Sequence, residues 1–320
     1  MPENPANERL HPDQRIRISV GGRDDVDLSL RRLMVPPGSR VSLRTDFDPD
    51  FTAGLRDKEA ALAQVAANVQ RLSELQEKLY AQDAYALLVI FQAMDAAGKD
   101  GVIRHVMSGV NPQGCQVTSF KVPSDDELDH DYLWRASRAL PARGMIGIFN
   151  RSYYEEVLVV RVHPELLARQ RLPRAAAGDG IWTRRFGEIM SFEQYLAQNG
   201  IVVLKFFLNV SKEEQRQRFL ARIDEPDKNW KFSTGDYRER SVWDTYQQVY
   251  QEMLNGTSSD TAPWFVIPAD HKWFARLAVS EVICAALEKL PLRYPETSAE
   301  RRRELAAIRD VLAKEAPDAR

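Results

Sequence analysis

The stretch of sequence that decides the fold is ALLVIFQAMDAAGKDGVIRHVMS, residues 86–108. It begins with a continuous apolar run, passes through a short loop that contains Gly98 and Lys99, and continues in a helical pattern. A loop between a strand and a helix suits an anion, because its amides and the helix N-terminus face the charge and the lysine reaches the phosphate oxygens. The stretch therefore predicts a phosphate loop, which we define as residues 92–101.

The phosphate loop departs from the strict pattern G-x-x-x-x-G-K-[ST] at two positions. Ala93 stands at the first glycine, and Asp100 stands at the serine or threonine that normally holds Mg²⁺. A carboxylate beside phosphates is repelled unless a divalent cation lies between them. Asp95 or Asp100 could therefore replace the missing hydroxyl. We interpret Asp95 in this way, and Asp100 more simply as an acid in the first turn of a helix.

Beyond the phosphate loop, apolar runs alternate with helical patterns. The strand candidates are residues 86–91, 115–120, 145–149, 201–208 and 264–268. Helical patterns cover residues 99–108, 125–139, 184–198, 211–223, 238–255 and 271–288. The apolar runs are continuous rather than alternating, which is typical of parallel strands covered on both faces. This order predicts an α/β fold with five parallel strands in a central sheet and helices on both faces.

The two ends of the chain have different patterns. Residues 1–54 are polar and irregular, and we interpret them as an extended arm with room for one short strand. Residues 55–80 form a long amphipathic helix, whose apolar stripe could pack on its own core or seed a dimeric coiled coil. Residues 291–320 contain two proline breakers and then a charged helical tail. The main domain is therefore expected over residues 55–290.

Composition limits the classes of partner. The 320 residues include 44 lysines and arginines against 46 aspartates and glutamates, so no overall positive charge favours nucleic acid or an anionic membrane. The longest apolar run, residues 84–91, is far too short to span a bilayer. The N-terminal residues lack the apolar region of a secretory signal, and Cys115 and Cys284 have no disulfide or metal spacing. We expect a soluble cytoplasmic protein that binds neither nucleic acid nor membranes.

The strand at 145–149 ends in Asn150-Arg151-Ser152. An acid is usual at this strand end in metal-dependent phosphate enzymes, whereas Asn150 is neutral and could hold only metal-bound water. Arg151 lies at the carboxyl end of a strand, where open α/β sheets bind ligands, and its guanidinium suits a bidentate phosphate contact. A salt bridge from Arg151 to Glu155 is the alternative interpretation.

Residues 211–240 are a candidate mobile lid. The helix at 211–223 carries Arg216, Arg218 and Arg222 after a late strand, the place where phosphate-transferring kinases keep lid arginines. The polar, aromatic stretch at 224–240 then joins two helices. Two simpler explanations remain open: Glu214 pairs with Arg218 on a solvated helix face, and the stretch is a plain surface connection.

Several blocks in this order resemble the type-2 polyphosphate kinases. The blocks are QAMDAAGKDG (92–101), SGVNPQGCQVTSFKVPS (108–124), IGIFNRSYYEEVLV (146–159), SKEEQRQRF (211–219), DKNWKFS (227–233), SVWDTYQQVYQEMLNGTSS (241–259) and APW (262–264). The resemblance implies a P-loop kinase fold similar to thymidylate kinase, with a helical lid. It also implies Mg²⁺-dependent, in-line phosphoryl transfer between inorganic polyphosphate and the adenine nucleotides AMP, ADP and ATP, with Mn²⁺ as a substitute metal.

The same resemblance implies finer properties. Members specialised for ADP generally carry aspartate where this chain has Asn150, so the FNRS form is similar to the subclass that accepts AMP as well as ADP. A homo-dimer or homo-tetramer is implied. Two rival functions are an ATP-dependent nucleoside or nucleotide kinase of the same fold, and an inactive nucleotide-binding scaffold.

The residue patterns and the resemblance together give the candidate site residues. Catalytic roles go to Asp95, Lys99 and Arg151, and metal binding goes to Asp95 and Asn150. Phosphate and nucleotide contacts are assigned to Ala96, Ala97, Gly98, Asp100, Gly101, Arg104 and Asn150. Contacts with polyphosphate or within the lid are assigned to Lys121, Arg216, Arg218, Arg222 and Lys231.

Overall fold

The computed structural model describes residues 10–18, 25–173 and 176–315, apart from the side chain of Lys231. The strands are β1 (Arg15–Ile18), β2 (Val26–Ser29), β3 (Met34–Val35), β4 (Ala86–Ala93), β5 (Cys115–Ser119), β6 (Ile146–Asn150), β7 (Ile201–Asn209) and β8 (Trp264–Pro268). The first helices are α1 (Leu43–Asp46), α2 (Lys58–Gln82), α3 (Lys99–Val106), α4 (Asp125–Leu128), α5 (Trp134–Arg138), α6 (Val159–Val162) and α7 (Pro164–Arg169). The remaining helices are α8 (Ile181–Gln198), α9 (Lys212–Asp224), α10 (Thr234–Ser241), α11 (Trp243–Thr257), α12 (Lys272–Glu288) and α13 (Ala299–Leu312).

The central sheet confirms the predicted α/β fold. Its strand order is β3-β8-β7-β4-β6-β5, and the five predicted strands run parallel. Every residue of β4 is buried, as expected for a strand covered on both faces. The sheet has a sixth strand, because β3 pairs antiparallel with β8. A strand of two residues has no periodicity to detect, so the sequence could not reveal β3.

The N-terminal segment differs from the extended arm that the sequence predicted. It contributes β3 to the central sheet, and β1 pairs with β2 in a separate antiparallel ribbon. Apolar side chains of this segment belong to the main core, including Leu30, Leu33 and Met34, each at most 1% exposed. This part of the chain is therefore integrated with the domain it precedes.

The long helix α2 buries its apolar stripe within its own domain. Val65, Leu72 and Leu79 are buried, and α2 packs along α12. The buried amide of Asn68 donates to the Ser280 hydroxyl of α12 (3.0 Å). The stripe is therefore used by intramolecular packing rather than left for a dimeric coiled coil.

Two of the predicted helices are broken. The segment at 125–139 forms two helices, α4 and α5. A capping box between Ser124 and Glu127 begins α4. In the turn between the two helices, the Asp131 carboxylate accepts from the Leu133 amide (2.9 Å). The segment at 238–255 lies within α10 and α11, and α10 begins earlier, at a cap formed by Ser233. The short helices α6 and α7 had no sequence signal.

The carboxyl ends of the central strands place the phosphate loop. Phe91 of β4 pairs with Asn150 of β6, and Ala93 of β4 pairs with Leu208 of β7. Because these strands are parallel, the phosphate loop, the Asn150-Arg151 turn and the start of α9 emerge at one edge of the sheet. No helix in the described part of the chain is long and apolar enough to cross a bilayer.

Candidate active site

A cleft of about 720 Å³ opens at this edge of the sheet. It is bordered by the phosphate loop, the end of β6, the lid segment after β7 and the start of α12. The predicted residues that line it are Asp95, Ala96, Gly98, Lys99, Asp100, Gly101, Lys121, Asn150, Arg151, Arg218 and Arg222. Eleven residues from four separate blocks of sequence therefore meet in one cleft.

The phosphate loop has the backbone that anion binding requires. Gly98 is the N-cap of α3 and has a φ of 107°, a conformation that residues with a Cβ rarely adopt. Ala96 also lies in the left-handed region, with a φ of 61°. Lys99 folds back over the loop, and its Nζ donates to the Ala93 carbonyl (2.9 Å). The lysine thus lies at the start of a helix whose N-terminal amides face the cleft.

Two cations and two carboxylates form the centre of the site. Arg151 Nη2 lies 3.3 Å from Asp95 Oδ1, so its ion pair is with Asp95 and not with Glu155, the predicted alternative. Burial lowers the pKa of Arg151, but the negative charges of Glu155 and Asp95 help to outweigh it, so that pKa is raised. Burial, and then the positive charge of Arg151, lowers the pKa of Lys99, whereas Asp95 and Glu155 oppose that change. An anionic substrate would relieve this repulsion between the two cations.

Arg151 is held in a strained backbone conformation at the end of β6. Its φ is 63°, and its amide donates to the Phe91 carbonyl of β4 (3.0 Å). Burial raises the pKa of Glu155 nearby. Gln92 donates to Glu155 Oε1 (2.9 Å) when its side-chain amide nitrogen is oriented toward the Glu155 carboxylate. Non-glycine residues persist in this conformation where the surroundings fix them, a situation common at functional sites.

Asn150 and Asp100 both line the cleft and are in direct contact. The amide nitrogen of Asn150 donates to Asp100 Oδ1 (2.7 Å). Asp100 does lie in the first turn of α3, as we interpreted it, but it also faces the predicted metal and phosphate residues. Its carboxylate is therefore available to the site.

The predicted lid arginines have three different environments. Arg218 is 7% exposed and pairs with Glu214 (2.7 Å), so the pairing was correctly predicted but the solvated face was wrong. Its remaining donors reach backbone carbonyls, which leaves none for polyphosphate. Arg222 lines the cleft and forms an ion pair with Asp236 of α10 (3.4 Å). Arg216 is exposed and pairs with Glu213, away from the residues that line the cleft.

Two other predicted residues also lie apart from the centre. Ala97 is buried within the loop, with 3% exposure. Arg104 is exposed on α3, outside the cleft lining, and its charge adds to burial in lowering the pKa of Arg276 on α12. The side chain of Lys231 lies outside the described residues.

Sequence reasoning missed Lys272 and Gln215. Lys272 lines the cleft at the start of α12 and follows the carboxyl end of a parallel strand, so the rule that located Arg151 could have found it. Gln215 is 1% exposed and donates to the Asp95 carbonyl (2.9 Å). It had no distinguishing signal, because the helix carries an identical side chain at Gln217.

Two smaller cavities join the cleft at Arg151. One, of about 200 Å³, has a mixed polar and apolar lining that includes Asp95, Glu155, Gln215, Glu239, Tyr246 and Tyr250. The other, of about 130 Å³, is mainly apolar and includes Phe120, Val122, Leu128, Val160 and Leu166. Arg151 lines both of them and the large cleft. The arginine therefore lies where ligands in adjacent spaces would meet.

The donor set fits a weakly held hard cation. Among the described residues, no three His, Cys, Asp or Glu side chains are grouped as a metal site. Mg²⁺ commonly binds through one or two carboxylates together with water and substrate phosphates. Asp95 is partly exposed at the cleft, and Asp100 and Asn150 offer further oxygens. These residues can accommodate Mg²⁺ when phosphates complete its coordination.

Comparison with known proteins covers the whole site. Residues 55–293 match a family described as Polyphosphate kinase 2. An ADP-polyphosphate phosphotransferase of Rhodopseudomonas palustris is 52% identical over 90% of this chain and 99% of its own. An AMP/ADP-polyphosphate phosphotransferase of Meiothermus ruber is 46% identical over 85% of this chain and 98% of its own. The crystal structure of Polyphosphate Kinase 2 from Arthrobacter aurescens TC1 has a TM-score of 0.78 and 42% identity, over 87% of this chain and 95% of that one.

Proposed function

The chain belongs to the polyphosphate kinase 2 family, and from this premise we propose that it transfers phosphoryl groups between inorganic polyphosphate and adenine nucleotides, forming ADP from AMP and ATP from ADP. The observation that carries the proposal is the convergence of Lys99, Asp95 and Arg151 in one cleft within the matched residues.

The geometry supports an electrostatic mechanism. Phosphoryl transfer requires in-line alignment and neutralisation of charge on the equatorial oxygens. Lys99 and Arg151 flank Asp95 at the mouth of the phosphate loop and supply that positive charge. The terminal phosphate of the acceptor is already anionic, so its attack on polyphosphate needs no strong general base. This accounts for a centre built from cations and carboxylates without a histidine.

We propose Mg²⁺ as the cofactor, with Mn²⁺ as a substitute. Asp95 would hold the ion, and Asn150 and Asp100, which line the same cleft, would contribute contacts to its water shell. The cation offsets the repulsion between these carboxylates and the phosphates of the substrates. The residues then orient the two phosphates about Arg151.

The proposal that AMP is an acceptor as well as ADP rests on Asn150. The amide adds no negative charge beside the acceptor, whereas an aspartate facing Asp100 would create a carboxylate pair. The 46% identical relative is named for both acceptors, and the 52% identical relative is named for ADP alone. The acceptor range of this chain must therefore be measured directly.

A basic surface beside the cleft supports binding of a long polyanion. Lys228 and Lys272 line the cleft, and Arg276 and Arg104 continue the positive charge along α12 and α3. Burial, and then repulsion from Arg218, Lys228 and Arg276, lowers the pKa of Lys272, whereas the negative charge of Glu214 opposes that change. We propose that polyphosphate lies along these side chains. Such binding releases counterions and weakens as salt is added.

The deciding experiment combines the protein with AMP or, in a second tube, with ADP, together with long-chain polyphosphate and Mg²⁺, and separates the nucleotides by chromatography. We expect ADP first and ATP later. ATP formation from ADP with AMP untouched would refute the dual acceptor range. Phosphorylation of a nucleoside by ATP, with polyphosphate inert, would instead favour the ordinary kinase.

Assembly and location remain proposals. A homo-dimer or homo-tetramer is supported by α13, on which Leu305, Ile308 and Leu312 are each at least 45% exposed. Light scattering after size-exclusion chromatography measures the oligomeric state, and a monomer at all concentrations would contradict it. The proposed cytoplasmic location rests on composition and is tested by fractionating the host cell.

A further inference from the structure

Side chains on one face of α9 form hydrogen bonds with the backbone of the phosphate loop. Gln215 Nε2 donates to the Asp95 carbonyl (2.9 Å), and Arg218 Nη1 donates to the carbonyls of Ala96 (3.0 Å) and Ala97 (2.8 Å). Three consecutive loop carbonyls are thus bonded to two side chains of one helix. We propose that Gln215 and Arg218 are positioning residues, which preset the loop for phosphate without contacting it.

The direction of these carbonyls fixes the direction of the neighbouring amides. In a planar trans peptide, a carbonyl and the N–H of the next residue point to opposite sides. Binding the carbonyls of Asp95 and Ala97 to α9 therefore turns the amides of Ala96 and Gly98 away from that helix. Neither of these amides has an acceptor among the described residues, whereas the Ala97 amide donates to the Met94 carbonyl (3.3 Å). Free amides in such a loop are donors for an anion.

Arg218 has no donor left for a substrate. Its Nε donates to Glu214, its Nη1 reaches the two loop carbonyls, and its Nη2 donates to the carbonyls of Ala269 (2.5 Å) and Asp270 (3.1 Å) after β8. These contacts use all five N–H groups of a guanidinium. The arginine consequently ties the loop to a core strand as well as to α9.

The same contacts explain how Ala96 keeps a conformation that disfavours a Cβ. Its φ of 61° places its carbonyl where Arg218 Nη1 binds it. Strained residues of this kind persist where the structure around them is fixed. Gln215 adds a link to the lid, because its Oε1 accepts from Arg240 of α10 (2.8 Å). Movement of α10 would therefore shift Gln215 and alter its hydrogen bond to the Asp95 carbonyl.

The test uses two glutamines of one helix. Gln215→Ala removes the loop contact, and Gln217→Ala is the matched control, since Gln217 is exposed and bonds to Glu213. Loss of one buried hydrogen bond predicts a fall of about tenfold in kcat/KM for Gln215→Ala. Arg218→Lys keeps the charge but loses the planar fork, and we expect a larger fall. Calorimetric titration with tripolyphosphate alone should show weaker binding in Gln215→Ala and Arg218→Lys than in wild type. Thermal unfolding should show that each variant is folded.

Hydrogen exchange gives a readout that does not depend on turnover. In wild type and in Gln217→Ala, tripolyphosphate should protect the amides of residues 96–98, and this protection should be reduced in Gln215→Ala. Equal protection and equal tripolyphosphate affinity in all three proteins would overturn the proposal, as would near-normal turnover in Arg218→Lys. The proposal builds on the proposed function, but the two can fail separately: inactive wild type would refute the function, whereas the binding and exchange results would still decide the role of α9.

Discussion

Replacing Asp95 by asparagine separates a role in catalysis from a role in folding. Asparagine has nearly the same size and also favours turns, so the loop should keep its shape. The Asp95 carbonyl that accepts from Gln215 belongs to the backbone and is unchanged. The substitution removes only the negative charge that faces Arg151 and the proposed Mg²⁺.

The effect on stability can be estimated from the one ion pair lost. Arg151 and Asp95 lie 3.3 Å apart, with 42% and 27% of their side chains exposed. Solvent screens such a pair, so its loss should lower the free energy of unfolding by at most about 1 kcal/mol. For a large domain this corresponds to a fall in Tm of about 2–4 °C.

The effect on catalysis should be much larger. Removing one preorganised charged group from a phosphate-transfer site costs about 10²–10³ in kcat, by analogy with the donors of oxyanion holes. We would measure kcat for ADP and polyphosphate across a Mg²⁺ titration, together with Tm. The expected result is a collapse of kcat with Tm near that of wild type. Near-normal turnover of Asp95→Asn at low Mg²⁺ would remove this carboxylate from the mechanism.

Four further predictions follow from individual contacts. The pKa of Lys99 is lowered, so its ammonium loses its proton below pH 10.5 and kcat/KM should begin to fall below that pH. Lys99→Arg should move this alkaline fall of kcat/KM to higher pH. Identical pH–rate profiles of wild type and Lys99→Arg would contradict this role of Lys99. Ala96→Gly should raise Tm or leave it unchanged by relieving a left-handed residue, and thermal unfolding that shows a marked loss would refute the strain. Lys272→Ala should reduce by about one the slope of log KM for polyphosphate against log salt, and an unchanged slope would place the polyanion elsewhere. We expect the apolar cavity beside Arg151 to hold the adenine base of AMP, so Leu166→Trp, which fills it, should raise KM for AMP several-fold while leaving KM for polyphosphate unchanged. Equal effects on both constants would exclude that cavity as the acceptor pocket.

Local patterns were enough to predict the sheet. The five long strands are continuous apolar runs, and the strand before Gly98 and Lys99 identifies the edge of the sheet at which the candidate site lies. The same reasoning located Arg151, because the carboxyl end of a parallel strand is a general binding position. By contrast, β3 contains two residues and has no periodicity, so only its pairing with β8 reveals it.

Long-range side-chain contacts could not be predicted. Asn150 and Asp100 are 50 positions apart in the chain, and Arg218 reaches the Ala96 carbonyl across 122 positions. A helix bearing Arg216, Arg218 and Arg222 does not indicate which one is buried, because each could face solvent or the loop. The packing of α9 against the phosphate loop decides which arginine is buried. It gives Arg218 backbone partners in that loop that the sequence did not suggest.

The central claim, that polyphosphate is the phosphoryl donor, is tested most directly by phosphorus NMR of one sealed reaction. The tube contains the protein, ADP, long-chain polyphosphate and Mg²⁺, with no other nucleotide. The account predicts that the signal of internal polyphosphate phosphates decreases while the γ-phosphate of ATP appears, and that Lys99→Met abolishes the change. An unaltered polyphosphate signal with wild-type protein, or equal conversion by Lys99→Met, would contradict it.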